Sequence, residues 1–523
     1  MISPIALKRY RERRLDDHSW LKRASARKVN LALSKLRPAP RFQDLRLHQR
    51  VGLLLGITYP QFFFLYDMGS GKTALSLRLI EYLVRIGKVK GIAVVLVPND
   101  AAIWNWEDEI KKWSPRTPYR LLTDSSSKDK WHTLGVFKNG IAVVSYPGYR
   151  SMISALEKSP KAKHAHRALS ATLAKKFSNR AGAMVMDEIT ACKNPKSLTF
   201  KAVETLSKAV KFRYGLTGRP FGRDPAVLWA QCFLVDHGET FSQNFQFFHE
   251  AYFKKKKSKF GYGSTYSLSA KGKREVSQAL KHRSLSYSVQ ECLELPPLIP
   301  ITRKVEFPPD AMIYYRKMVE ALIQQKGNWR EIKNVFLRMR QIASGFVGMI
   351  DDDTGERAQI EFRHNPKIDE LMNIIVEEKP ENEKCVVFHE YNWTGQRICT
   401  ELSRNKIRHG WLHGGTKNWV ELKDRFNSDP NMEVLVVNWK KGGMALNLQA
   451  ASVSCFIESP VAPDQREQCE RRTWRGGQTK HVRQYDILVK NSVDERIRDF
   501  HKEGDDLMNA LIRNPRKALG LLG

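Results

Sequence analysis

The stretch FFFLYDMGSGKTALSL, residues 62–77, decides the fold. An apolar run ends at Tyr66, a polar turn with two glycines follows, and from Lys72 onward the apolar residues recur at helical spacing. A strand, a glycine turn and a helix N-terminus in that order make a cradle for phosphate. Gly69 and Gly71 permit the tight turn, and the backbone N–H groups around Ser70 face the anion. Lys72 reaches the β and γ oxygens, and the Thr73 hydroxyl is placed to hold Mg²⁺. One position departs from G-x-x-x-x-G-K-[ST], because Tyr66 stands where the first glycine is expected. The strand before the turn and the helix after it argue against a chance match.

Outward from this turn, between about residues 42 and 240, short apolar runs (IAVVLVP, IAVVSY, AMVMDE, FRYGLTG) alternate with amphipathic helical stretches. This alternation predicts an α/β fold with a parallel sheet, whose ligands sit at the carboxyl ends of the strands. AMVMDEIT puts Asp187 and Glu188 at such an end. Asp187 is placed to bind Mg²⁺ through water, and Glu188 to orient and deprotonate an attacking water. An Asp-Glu pair is common on surfaces; its position after an apolar strand, downstream of the phosphate turn, gives it meaning. The pattern breaks at 249–290, which carries KKKKSK at 254–259 and reads as an inserted module. A mostly helical segment spans about Asp310 to Ile342, and the α/β pattern then resumes with KCVVFHEY, HGWLHGG, MEVLVVNW, VSCFIES and RQYDILV.

The expected organisation is a basic helical extension over 1–41, a first parallel-sheet lobe over 42–290 with a basic insertion at about 241–290, and a second lobe over 291–523. The second lobe should carry a helical insertion at about 306–365 and a helical tail. The extension holds twelve Lys or Arg against Glu12, Asp16 and Asp17, and it is readable either as a helix lying on lobe one or as a DNA-contacting arm. The lysine run at 254–257 is likewise open between a DNA-gripping protrusion and a solvated loop.

With 88 Lys and Arg against 55 Asp and Glu, the formal charge is +33, which points to a polyanionic partner and to nucleic acid first. No apolar run approaches the roughly 18 residues needed to span a bilayer, so no membrane partner is expected and a cytoplasmic location is, or a nuclear one in a eukaryote. The seven cysteines are scattered and form no C-x-x-C pair, which argues against a disulfide framework and a zinc site. Trp104, Trp106 and Trp113 have helical spacing, which favours core packing over base stacking.

The remaining motifs resemble the Swi/Snf family of helicase-like ATPases within superfamily two, over roughly residues 42–500, and its compact bacterial or viral members in particular. LRLHQ at 45–49 is similar to the adenine-reading motif, with Gln49 contacting the base. VVLVPNDAAIWNWEDEIKKW and IAVVSYPGY resemble the first nucleic-acid-facing motifs, and RYGLTGRPFGRDPAVLWAQCFLVD the LTGTP segment. LPPLIPITRKVEFPPDAMIYYRKM, FLRMRQIASGF, LHGGTKNWVELKDRF, NWKKGGMALNLQAAS and PDQREQCERRTWRGGQTKHVRQYDILVKNSVDERI follow in the family's order.

The resemblance implies two RecA-like lobes with ATP between them and Mg²⁺ as its cation. It implies Arg472 and Arg475 as arginine fingers assisted by Gln468, and Thr217 and Gly218 as relays of nucleotide state. Phosphate contacts to DNA would come from Ser145, Tyr146, Thr416, Gly442 and Gly443. Three positions depart from the family pattern: Thr190 and Trp474 replace histidines, and Arg219 replaces a threonine. The implied activity is ATP-driven stepping of a monomer along double-stranded or branched DNA, serving remodelling, branch migration or annealing. A strand-separating helicase on DNA or RNA is the rival enzyme, and a basic annealing or packaging protein without hydrolysis is the rival of another class.

Overall fold

The computed structural model describes residues 15–124, 126–157, 181–218, 225–257, 264–324, 328–350, 357–442, 446–502, 511 and 518–519. The chain divides between Leu293 and Glu294 into two compact units, each built on its own parallel sheet.

In the first lobe the strands are β1 (Gln61–Tyr66), β2 (Ile92–Val97), β3 (Tyr119–Leu121), β4 (Gly140–Ser145), β5 (Ala181–Asp187), β6 (Phe212–Leu216), β7 (Phe253–Lys257), β8 (Ser264–Leu268) and β9 (Ser284–Tyr287). Seven of them form one sheet in the order β3-β4-β2-β5-β6-β1-β9, with every pairing parallel. All six residues of β2 are buried, as expected of a parallel strand covered on both faces, and this is why it reads as an uninterrupted apolar run. The helices that matter to the site are α1 (Leu47–Thr58), α2 (Lys72–Arg85), α3 (Asp100–Trp113) and α4 (Tyr146–Glu157). Asn99 starts α3 by accepting a hydrogen bond from the Ala102 N–H at 3.0 Å, and Ser145 does the same for α4 from the Gly148 N–H at 3.1 Å.

Two expectations change here. The basic insertion does not run to residue 290, because Ser284–Tyr287 returns to the main sheet as edge strand β9, with Phe63 opposite Ser284. The lysine run is not a loop; it lies on β7, paired antiparallel with β8. The described part of the N-terminal extension packs on its own lobe. Leu21, Val29 and Leu33 are buried, Arg50 donates to Asn30 Oδ1 at 3.1 Å, and Lys22 pairs with Glu291 at 2.6 Å.

In the second lobe β10 (Leu298–Val305), β13 (Lys384–His389), β14 (His409–Leu412), β15 (Val434–Asn438), β16 (Ala451–Phe456) and β17 (Val482–Val489) form a parallel sheet in the order β10-β17-β16-β13-β15-β14; β11 (Phe346–Ile350) and β12 (Arg357–Glu361) pair as a hairpin outside it. The LIPITRKV part of the LPPLIPITRKVEFPPDAMIYYRKM motif is strand β10, paired with β17 along its whole length. Helix α5 (Trp329–Ala343) carries most of the FLRMRQIASGF motif, and α6 (Pro463–Thr473) the arginine motif discussed below. Behind α6, Arg466 is 2% exposed, donates to Asp486 Oδ1 and Ser459 Oγ at 2.6 Å each, and stacks on Phe456 at 3.3 Å. Removing one partner from a buried, hydrogen-bonded ion pair of this kind typically costs about 3–5 kcal/mol, so the arrangement fixes α6 on its sheet.

Candidate active site

The order of the first sheet explains why its chemistry converges. Strand β6 lies between β5 and β1, and the register sets Asp187, Leu216 and Phe64 side by side. The phosphate turn after β1, Thr217 after β6 and the acidic pair at the end of β5 therefore emerge from neighbouring strand ends. Gly69 and Gly71 have φ of +81° and +79°, the left-handed conformation that glycine adopts without cost. A side chain on Gly71 would also fall against Gln49 Nε2. Tyr66 is tolerated in place of the first glycine because it is the last residue of β1. Its ring is buried and its hydroxyl donates to the His48 carbonyl at 3.2 Å, away from the turn.

Lys72 opens α2 and its Nζ donates to the carbonyls of Tyr66 at 2.7 Å and Asp67 at 3.2 Å. Thr73 follows it in the first turn, half-buried, and Ser70 donates through Oγ to the Asp67 carbonyl at 2.7 Å. From α1, His48 Nε2 lies 2.7 Å from the Ser70 carbonyl and Gln49 Nε2 donates to the Gly71 carbonyl at 3.0 Å, while Gln49 Oε1 accepts from the Arg46 N–H at 2.8 Å. In this structure the Gln49 carboxamide thus braces the phosphate turn with both of its polar ends. His48 acts beside it, a role that no sequence pattern had singled out.

Burial pushes the Asp187 carboxyl up, opposed by the Trp106 indole, the nearby Lys72 ammonium and the Glu188 backbone N–H. The Trp106 Nε1–H donates to Asp187 Oδ2 at 2.9 Å. Glu188 sits at φ +46°, a conformation costing a non-glycine residue about 1–2 kcal/mol. Its Oε2 accepts from the Thr217 hydroxyl at 3.1 Å, with Thr217 1% exposed. Gly218 packs so closely on the turn that an added Cβ would lie 3.2 Å from Asp67 Cα and 3.3 Å from Met68 N.

A hydroxyl from Thr73 and a carboxylate from Asp187 are hard oxygen donors of the kind Mg²⁺ takes when phosphates and waters complete its shell. Among the described residues there is no group of three or more His, Cys, Asp or Glu that could hold a metal ion. Near the acidic pair the Tyr146 hydroxyl is buried with no hydrogen-bond partner among the described residues, and burial holds it well above the usual phenol range.

In the second lobe, α6 carries Gln468, half-buried, and Arg472, 7% exposed, and ends at Thr473. Arg475 lies just beyond, half-buried in the following turn, so the two arginines share a helix end and its turn but not one helical face. The turn is built around Gln478. Its Nε2 reaches the carbonyls of Ala451, Gln449 and Thr473 at 2.9, 3.1 and 3.2 Å, and its Oε1 accepts from the N–H groups of Thr479 and Lys480 at 3.0 Å each.

The residues expected to contact DNA fare differently. Ser145 and Tyr146 are each 1% exposed, the first capping α4 and donating to Asp100 Oδ1 at 2.5 Å, the second packed in the core. Both side chains therefore serve as internal supports of the lobe. Thr416 closes the turn after β14, its Oγ1 accepting from the His413 N–H at 3.0 Å. Gly442 ends the short helix after β15, and Gly443 lies outside the described residues.

Of the departures, Thr190 donates weakly to the Glu188 carbonyl at 3.4 Å, and Arg219 lies outside the described residues. Trp474 donates from Nε1 to the Pro296 carbonyl at 2.8 Å beneath the Arg471 guanidinium, 5.1 Å from its ring centre. The tryptophan cluster of α3 splits: Trp106 is 2% exposed, Trp104 is 40% exposed, and Trp113 lies under Arg78 at 5.7 Å.

Comparison with known proteins follows the same lines. The SNF2-related domain matches residues 62–379, and the helicase conserved C-terminal domain matches residues 366–477. A protein of Mycoplasma genitalium described as an uncharacterized ATP-dependent helicase is 25% identical over 455 residues, 84% of this chain and 39% of that one. A probable ATP-dependent DNA helicase of Arabidopsis thaliana is 24% identical over 455 residues, 84% of this chain and 40% of that one. The chain thus spans about two fifths of the length of these curated relatives. Among solved structures, the Sulfolobus solfataricus SWI2/SNF2 ATPase core in complex with dsDNA is 19% identical, covering 88% of this chain and 91% of that chain with a TM-score of 0.37. Because the first of these matches takes in more than half of the 523 residues, the chain belongs to the SNF2-related domain family, the Swi/Snf group that its motifs resemble.

Proposed function

We propose that this chain hydrolyses ATP with Mg²⁺ and uses the energy to step, as a monomer, along double-stranded or branched DNA. The observation that carries the reading is the convergence, at three neighbouring strand ends, of Lys72, Asp187 and the Thr217–Glu188 pair. Lys72 and the turn amides bind the phosphates, Thr73 and Asp187 hold the cation, and Glu188 takes a proton from the attacking water while Thr217 keeps its carboxylate aimed. Bound Mg²⁺ would neutralise charge building on the phosphate oxygens. Arg472 and Arg475 are the cations assigned to the γ-phosphate, with Gln468 beside them.

The excess of 33 positive charges supports a polyanionic track contacted mainly through phosphates, and hence with little sequence preference. No helix among the described residues is long and apolar enough to cross a membrane, and the proposed work lies wherever the cell keeps its DNA, the cytoplasm of a bacterium or the nucleus of a eukaryote.

The deciding experiment compares three substrates with purified protein. Duplex DNA should stimulate ATP hydrolysis at least as well as single strands, and a third strand should be displaced from a triplex, while a tailed duplex stays paired. Efficient unwinding of the tailed duplex, or stimulation by RNA alone, would replace this reading with the helicase rival. Equal hydrolysis with and without DNA would remove the motor altogether.

A further inference from the structure

We propose that Trp106 is a positioning residue for the metal-binding carboxylate: its indole N–H, donated to Asp187 Oδ2 at 2.9 Å, fixes the orientation in which Asp187 meets the cation. The inference rests on the reading of Asp187 as a carboxylate that holds Mg²⁺ through water.

Packing alone does not account for this contact. A buried indole N–H seeks an acceptor: backbone carbonyls serve Trp131, Trp229 and Trp474 at 2.9, 2.9 and 2.8 Å, the His389 ring serves Trp411 at 3.1 Å, and the half-buried Trp393 donates to Glu361 Oε1 at 2.6 Å. What sets Trp106 apart is burial on both sides of the bond: the indole is 2% exposed, and its acceptor is the buried carboxylate at the end of β5, 81 residues away in sequence. The choice of donor suits a metal site. An indole is donor-only and uncharged, so it holds a carboxylate oxygen without cancelling the negative charge that attracts the cation. A lysine or arginine in that place would hold the carboxylate as firmly and repel Mg²⁺.

The donor is also anchored. Helix α3 is capped by Asn99, and its first residue, Asp100, accepts from Ser145 Oγ at 2.5 Å, so the helix bearing Trp106 is tied both to β4 and to the end of β5. Partners that orient metal ligands in this way are typically worth about 10- to 100-fold in metal affinity or activity.

The test is calorimetric binding of the non-hydrolysable analogue AMP-PNP, once with Mg²⁺ and once with EDTA, to the full chain. In Trp106→Phe, affinity in EDTA should stay within about twofold of the parent protein, while the gain conferred by Mg²⁺ falls by about tenfold or more. Benzothienylalanine at position 106 replaces the N–H by sulfur at nearly unchanged shape, and it gives the same readout should phenylalanine disturb folding. An unchanged Mg²⁺ gain, or equal losses in Mg²⁺ and EDTA, overturns the proposal. Asp187→Asn separates the two levels: if it too keeps the full Mg²⁺ gain, the metal assignment itself fails, whereas loss in Asp187→Asn with none in Trp106→Phe sinks only the role of the indole.

Discussion

Replacing Thr217 by valine removes one hydroxyl and leaves the side-chain volume nearly unchanged. That hydroxyl donates to Glu188 Oε2 at 3.1 Å, and Thr217 is 1% exposed, so solvent is poorly placed to take over its bond. A hydrogen bond to a charged acceptor contributes about 1.5–3 kcal/mol net. If the bond matters chiefly while Glu188 aims at the attacking water, its loss appears in the barrier. At about 1.4 kcal/mol per factor of ten, turnover should fall roughly ten- to hundredfold. The KM for ATP should move little, because Lys72 and the turn amides are untouched. Thr217→Ser keeps the donor and should stay within a few-fold of the parent rate. The assay is steady-state phosphate release at saturating duplex DNA, with AMP-PNP affinity and a thermal melt as controls. Parent-level turnover in Thr217→Val refutes the reasoning, as does a loss shared equally by binding and turnover.

Three further substitutions probe the other parts. Glu188→Gln should lower turnover by about 10²–10⁴-fold while still binding AMP-PNP, since the carboxamide cannot accept the proton; near-normal phosphate release would remove the assigned base. Gly71→Ala forces a side chain into φ +79° and against Gln49, adding about 1–2 kcal/mol of strain to the turn, and calorimetry should show AMP-PNP affinity reduced by about tenfold or more. Arg475→Ala should cut DNA-stimulated turnover by about 10³ or more with the melting temperature unchanged; a mutant that keeps its stimulation is no arginine-finger mutant.

Much of this was legible in the sequence because parallel strands buried on both faces announce themselves as apolar runs, and β2 and β5 could hardly be read otherwise. Edge strands hid for the converse reason. Strand β9 reads Ser-Leu-Ser-Tyr beside basic segments, and β10 carries Pro300 with side chains half in water; each is held by a single neighbour through backbone bonds that no side-chain pattern reports. At the site, the phosphate turn and acidic pair were readable as local spacings. Trp106 was readable only as core, since its spacing from Ala102 and Ile110 on the buried face of α3 says nothing about Asp187. The burial of the Ser145 and Tyr146 side chains was not legible, because it follows from the next helix starting immediately after β4 and enclosing both.

The turn built around Gln478 bears on how such chains decay when hydrolysis is no longer needed. Its carboxamide serves carbonyls with one end and N–H groups with the other, all of them backbone, and a glutamate could not donate to the first set. Selection for an intact second lobe is therefore enough to keep it. Glu188 is different: the proposed chemistry is the reason to hold it at a left-handed backbone angle, and a lineage that kept only its grip on DNA would be free to relax it. In a degenerate descendant the glutamine should outlive the glutamate, so the glutamine of R-x-G-Q-T-K marks a folded lobe, and it is the acidic pair that tells a working enzyme from its fossil.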